Sequence, residues 1–220
     1  MYQGVWCPKN EKSSPKILIL GESHYGDAGT QGQKSTGLTK EVVEYFLSGK
    51  VKDQWKEFFY KIAISFGYKR DINEIADFYN RVYFGNYVDV LCDVGTENEA
   101  KKYIWDNRID YNNELFEFCN KNEIDIIICF SKEVYNALPK LELYGEKNWE
   151  IEIGTIGEDK RRNLAMKTMY KKGNRVECKI NLKKDLIVYG IRHPSSAGGY
   201  KADQVYEFLS SELKGFSICK

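Results

Sequence analysis

Lys16-Ile17-Leu18-Ile19-Leu20-Gly21-Glu22-Ser23-His24-Tyr25-Gly26-Asp27 is the stretch that decides the fold. Its first half is a continuous apolar run, as expected of a strand covered on both faces by helices. Its second half begins a stretch with five glycines between Gly21 and Gly37, read here as a loop. The chain has only two histidines, and both follow strands of this kind. His24 lies just past 16–20, and His193 just past Leu186-Ile187-Val188-Tyr189-Gly190-Ile191. In an open parallel sheet, ligands bind in the crevice beyond the carboxyl ends of the strands. If both strands share one sheet, the two imidazoles meet at one edge.

Working outward, helical patterns alternate with apolar runs. Leu38, Val42, Phe46 and Leu47 share a face over 38–48, and Gly49 ends it. Trp55, Phe58, Phe59, Ile62, Ala63 and Phe66 form one apolar stripe over 52–66, read as core. A shorter helix near 71–80 leads to a strand over 82–91. A helix near 111–121 precedes a second apolar strand, Ile124 to Phe130, and Ser131 is placed to cap a short helix ending at Leu138. The strand at 186–191 and a helix near 201–214 close the chain. The pattern predicts an α/β fold: a three-layer α/β/α sandwich, with a mainly parallel sheet of about four strands, in one domain over 1–220. Residues 140–184 read as a basic insertion or hairpin, an excursion from that sheet.

Composition narrows the function classes. Lys and Arg number 33 against 32 Asp and Glu, so no global field draws in nucleic acid. Locally, residues 160–184 hold ten basic residues against Glu177 alone, a net of +9. This run reads either as a solvated face or as a strip that neutralises phosphates, with Lys171, Lys172 and Arg175 as backbone contacts. The cysteines at 7, 92, 119, 129, 178 and 219 form no C-x-x-C pair, and no zinc framework assembles with two histidines. No metal or organic cofactor is expected. Without an apolar leader or a long apolar span, a monomer in a reducing cytoplasm, away from membranes, is expected. Gly32-Gln33-Lys34-Ser35 approaches the end of a phosphate-binding P-loop, but Lys34 does not adjoin the glycine.

Three segments carry a family resemblance. Gly21-Glu22-Ser23-His24-Tyr25-Gly26, Phe84-Gly85-Asn86-Tyr87-Val88 and His193-Pro194-Ser195 resemble, in that order, the motifs of the uracil-DNA glycosylase superfamily. Members carry GQDPYH, GEAPG or GMNPG after the first strand and HPS near the C-terminus. The strand–helix stretch from Ile126 to Leu138 also resembles that family, and the likeness runs over about 16–214. It implies a hydrolase that cleaves the N-glycosidic bond of a damaged or deaminated base in single- or double-stranded DNA. Gly21 and Ser23 would line the base with their amides, His24 would belong to the same substrate-binding loop, Tyr25 would wall the pocket, and Asn86 would read the pyrimidine edge. His193 would stabilise the developing negative charge, Glu22 or Asp27 would activate water, and Ser195 would contact the phosphate backbone.

The chain departs from the family at several positions. Ser23 stands where members have Asp or Asn, His24 replaces a proline, and Gly26 replaces the closing histidine of GQDPYH. A serine there favours a binding module for nucleic acid or a nucleotide that has lost catalysis. Near-zero net charge favours a hydrolase of free nucleosides. On the residues alone, either histidine also reads as a structural group and Asn86 as a turn residue.

Overall fold

Every residue of the first strand is buried, the outcome its unbroken apolar run requires. The structure is a computed structural model describing residues 5–9, 15–26, 29–51, 55–93, 99–139, 152–155, 164–173, 181–195, 199–216 and 218–220. Asp27 and Arg175 lie outside the described residues, as does much of 140–184. The first half of the chain forms β1 (Ile17–Gly21), β2 (His24–Gly26), α1 (Leu38–Leu47), α2 (Lys56–Ile64), α3 (Ile72–Tyr79), β3 (Tyr83–Asn86) and β4 (Leu91–Asp93). The second half forms α4 (Glu99–Asp106), α5 (Arg108–Asn122), β5 (Ile126–Cys129), α6 (Lys132–Ala137), β6 (Glu152–Thr155), β7 (Leu164–Tyr170), β8 (Leu186–Gly190) and α7 (Ala202–Glu212).

The main sheet runs β3-β1-β5-β8-β7-β6. Its first four strands are mutually parallel, β7 is antiparallel to β8, and β6 is antiparallel to β7. The expected four-stranded count is therefore corrected to six. The two extra strands are the described parts 152–155 and 164–170 of that stretch, an antiparallel pair that joins the sheet through β7.

Side chains alternate across the sheet with period two. Ile17, Ile19, Ile126, Ile128 and Tyr189 face a core shared with Val43 and Phe46 of α1, Phe59 and Ile62 of α2, Phe78 of α3 and Leu209 of α7. Leu18, Leu20, Ile127, Cys129 and Val188 face the other core, with Ile104 of α4, Leu115 and Phe116 of α5 and Val134 of α6. Helices thus flank both faces, an arrangement compatible with three layers. Burying each Ile or Leu side chain contributes about 1.5–3 kcal/mol, so both faces hold the sheet in place.

Three local readings change. The glycine-rich stretch contains β2, which pairs in parallel with β4 in a separate small sheet. Backbone bonds from Gly32 N to Leu91 O (2.9 Å) and Ser35 N to Asp89 O (2.8 Å) extend that lacing. The expected strand over 82–91 divides into β3 and β4. After Asn86, the Tyr87 and Val88 amides bond the carbonyls of Gly21 and Glu22, following the chain past β1. Helix α4 was not anticipated: half of its sequence, EAKKYIWD, is charged, and it buries only Ala100 and Ile104. Elsewhere the cap at Ser131 forms as expected, its Oγ accepting from Val134 N at 3.2 Å.

Candidate functional site at the carboxyl edge of the sheet

The strand register builds the site. Leu20 pairs with Cys129 and Cys129 with Gly190, while Gly21 lies opposite Asn86. Bonds from Phe130 N to Leu20 O (2.9 Å) and Ile191 N to Cys129 O (2.8 Å) carry the ladder one step further. The chain segments holding Glu22, Ser131 and Arg192-His193 therefore leave the sheet side by side, next to Asn86.

Gly21 has a steric reason to be glycine. A Cβ there would lie 2.2 Å from Asn86 Oδ1, so the Asn86 amide occupies the space over the end of β1. Asn86 shares its face of β3 with Phe84, which belongs to the core beside α2.

His193 is fixed on three sides. The Ser195 amide donates to its Nδ1 at 3.2 Å, and its ring lies 5.2 Å from the Phe58 ring at 31°. Lys61 Nζ donates to Pro194 O at 2.8 Å and anchors the turn to α2. Burial pushes the imidazole down to about 4, with the Lys61 charge adding to the shift. His193 is therefore neutral at pH 7. Because Nδ1 accepts, the proton resides on Nε2, which is left as a donor. Phe58 also packs 6.2 Å from Phe84, so one ring spans from the strand of Asn86 to the imidazole.

A second group of polar side chains lies at the same edge. Ser131 Oγ donates to Glu22 Oε2 at 2.7 Å while accepting from Val134 N. One hydroxyl thus both caps α6 and orients the glutamate. Arg192 lies against Gly199, and its Nη1 is buried without a hydrogen bond.

The other expected residues sit as follows. His24 Nε2 shares a 2.8 Å hydrogen bond with Thr39 Oγ1 of α1, and burial pushes this imidazole to about 4 as well. That bond ties the first motif to a helix. Tyr25 is 56% exposed. Ser23 Oγ is buried and makes no hydrogen bond of ordinary geometry. It still lies near the Tyr25 hydroxyl and the Cys92 thiol, where it opposes the rise that burial causes in both. Ser195 is exposed.

Lys171 and Lys172 are not brought to this edge. They follow Tyr170, which pairs with Leu186 at the start of β8, whereas His193 follows its end. At about 3.3 Å per residue, the length of β8 separates them by on the order of 15 Å. Lys171 Nζ is engaged by Asp185 Oδ2 at 3.3 Å, and the Lys172 amide by Asp185 Oδ1 at 2.8 Å. These two lysines therefore stand at the opposite end of the sheet from His193.

Phe58, Lys61, Ser131 as partner of Glu22, and Arg192 were missed as site residues. Phe58 and Lys61 were hidden in a helix read only as core. Arg192 offered one signal, its position directly before the histidine. Among the described residues, no group of three or more His, Cys, Asp or Glu is placed to hold a metal ion. No described helix is long and apolar enough to cross a membrane. Comparison with protein-family models and with curated proteins finds no match to this chain.

Proposed function

We propose that this chain is a glycosylase of the uracil-DNA type, hydrolysing the bond between a pyrimidine base and its deoxyribose in DNA. The observation that carries this reading is the pairing of His193 and Asn86 at one sheet edge: a neutral imidazole with its Nε2 proton available, and an amide seated over Gly21. Phe58 supports the imidazole against the strand of Asn86.

In the reaction, the C1′–N bond opens and its electron pair stays with the base. Negative charge collects on a base carbonyl oxygen, where the Nε2 proton of His193 donates a hydrogen bond that strengthens as the bond breaks. Asn86 offers a donor and an acceptor to the base edge. Water oxygen bonds to C1′, and one water proton passes through the Glu22 carboxylate to the departing base, which completes the balance. Glu22 is oriented for this by Ser131.

A binding module without catalysis is the second reading, favoured by Ser23 at the position of a family carboxylate and by a Glu22 already engaged with Ser131. The test is release of base from uracil-containing single- and double-stranded oligonucleotides and from deoxyuridine, alongside binding to each. Release from oligonucleotides supports the glycosylase. Tight binding without release supports the module, and release from the nucleoside alone overturns both.

A further inference from the structure

We propose that Ser65 and Tyr200 are positioning residues for His193: their hydroxyl pair fastens the far limb of the turn that carries the imidazole, so that one face of α2 holds this turn at both ends. The catalytic consequence rests on the glycosylase reading above; the fastening itself rests on the side chains alone.

Phe58, Lys61 and Ser65 stand three and four positions apart, so they share one face of α2 and its C-cap. Phe58 sets its ring against His193, and Lys61 Nζ donates to Pro194 O at 2.8 Å. Ser65 Oγ lies 2.6 Å from the Tyr200 hydroxyl. Proton count fixes the direction of that last bond. Ser65 Oγ gives its one proton to Lys61 O at 2.8 Å, so the Tyr200 O–H donates and Ser65 accepts. Ser65 is fully buried. The Tyr200 ring packs 6.4 Å from Phe130, whose amide bonds Leu20 O at the end of β1. Tyr200 is therefore held by the helix and by the sheet edge together.

The two limbs of the turn also touch each other. A Cβ on Gly199 would collide with the Arg192 guanidinium, so the limb that Tyr200 fastens lies directly against the residue before His193. Releasing Tyr200 frees Gly199 from Arg192 and loosens the limb that bears the imidazole. Placement matters here, because the imidazole must meet an oxygen whose charge develops only as the bond breaks. Of the groups packed against it, Phe58 presents carbon, the Ser195 amide is a neutral donor, and Lys61 supplies a positive charge. At the same edge Asn86 is neutral and Glu22 is engaged by Ser131. A loosened turn brings the imidazole toward water and away from Lys61, and both changes raise its titration midpoint.

The test uses the full chain with Tyr200→Phe, with Ser65→Ala, and with the two substitutions combined. Tyr79→Phe is the control, since it removes a different buried hydroxyl bond to α2, onto Phe59 O at 3.2 Å. Proton NMR follows His193, identified by the loss of its signal in His193→Asn. In Tyr200→Phe its titration midpoint is expected to rise from about 4 toward the ordinary 6.5, while that of His24, bonded to Thr39, stays. Ser65→Ala should raise the midpoint too and be the least stable in urea, because it strands a buried tyrosine hydroxyl. Adding Tyr200→Phe removes that hydroxyl and should recover stability without returning the midpoint. Base release from a uracil-containing oligonucleotide should fall about tenfold in kcat, with KM nearly unchanged, in Tyr200→Phe and in the combined variant. A His193 midpoint unchanged in both of these, or moved as far by Tyr79→Phe, overturns the assignment even if base is released. A kcat equal to the parent's despite a moved midpoint also overturns the positioning role. A midpoint that moves as expected, in a protein whose parent releases no base, sustains the fastening and overturns the glycosylase reading.

Discussion

The two ends of the parallel sheet treat polar groups in opposite ways. At the amino end, charges meet charges: Lys16 Nζ lies 3.3 Å from Glu123, Lys184 Nζ 2.6 Å from Asp125, and Lys171 Nζ 3.3 Å from Asp185. At the carboxyl end, two imidazoles are kept neutral by burial and a guanidinium nitrogen is buried without an acceptor. Exposed pairs contribute about 0–1 kcal/mol each, whereas a buried unsatisfied donor costs about 1–3 kcal/mol. One end is therefore neutralised within the chain, and the other holds unsatisfied polarity. The proposed site lies at the second of these ends.

The largest expected effect tests the carboxyl end directly. His193→Ala should lower base release by about 10²–10³-fold, the scale of removing one donor to a developing oxyanion, with the melting transition still cooperative. Turnover equal to that of the parent protein would remove the histidine from the mechanism and leave the edge without its donor.

Acid should expose the same asymmetry. His24 and His193 titrate near 4 in the folded chain and near the ordinary 6.5 when unfolded. As pH falls, the unfolded state takes up protons first. The histidine contribution is complete above about pH 6.5, declines from there to about pH 4, and falls no further below it. Urea denaturation at pH 7, 5.5 and 4.5 should therefore show a smaller decline for His193→Asn than for the parent. Parallel declines would mean that the imidazole is solvated.

Gly21→Ala comes next. The added methyl would require Asn86 Oδ1 to move from its 2.2 Å separation, and overpacking of this kind costs about 1–3 kcal/mol. Weaker binding of the pyrimidine should accompany the loss of stability. An unchanged affinity would detach Asn86 from the base.

What the sequence conveyed follows from the length and uniformity of each signal. The strands at 17–21, 126–129 and 186–190 are apolar on both faces and read at sight, and they bring the two histidine segments to one edge. The strands at 24–26 and 91–93 are three residues long with polar members, too short for a period to register. Strands β6 and β7 lay inside a stretch whose charge suggested solvent. The proposed site uses residues the sequence already singled out, His193, Asn86 and Glu22, while the side chains that hold them carried no such signal. Phe58 looks like any member of an aromatic stripe until the fold sets it against His193. The Ser131–Glu22 bond spans 109 positions, and no local pattern announces it.

Ser131→Ala addresses that link. Loss of the cap at α6 should cost about 1 kcal/mol in stability, measured by chemical denaturation. Because the same hydroxyl orients Glu22, turnover should fall further than an equally destabilising cap loss at Asp71, which bonds Asn73 N and Glu74 N at the start of α3. Equal losses from Ser131→Ala and Asp71→Ala would reduce Ser131 to a cap.

The smallest effect is expected at the amino end and carries a negative result of equal weight. Lys171→Ala removes an exposed ion pair with Asp185 and should change stability by less than about 0.5 kcal/mol. Each lysine or arginine that neutralises a phosphate steepens the fall of affinity with salt. Lys171 lies at the far end of β8 from His193, so the salt slope of oligonucleotide binding should not change on its replacement. If instead Lys171→Ala flattens it, nucleic acid runs along the end of the sheet where the charges are already paired, and the contrast between the two ends no longer marks where the ligand binds.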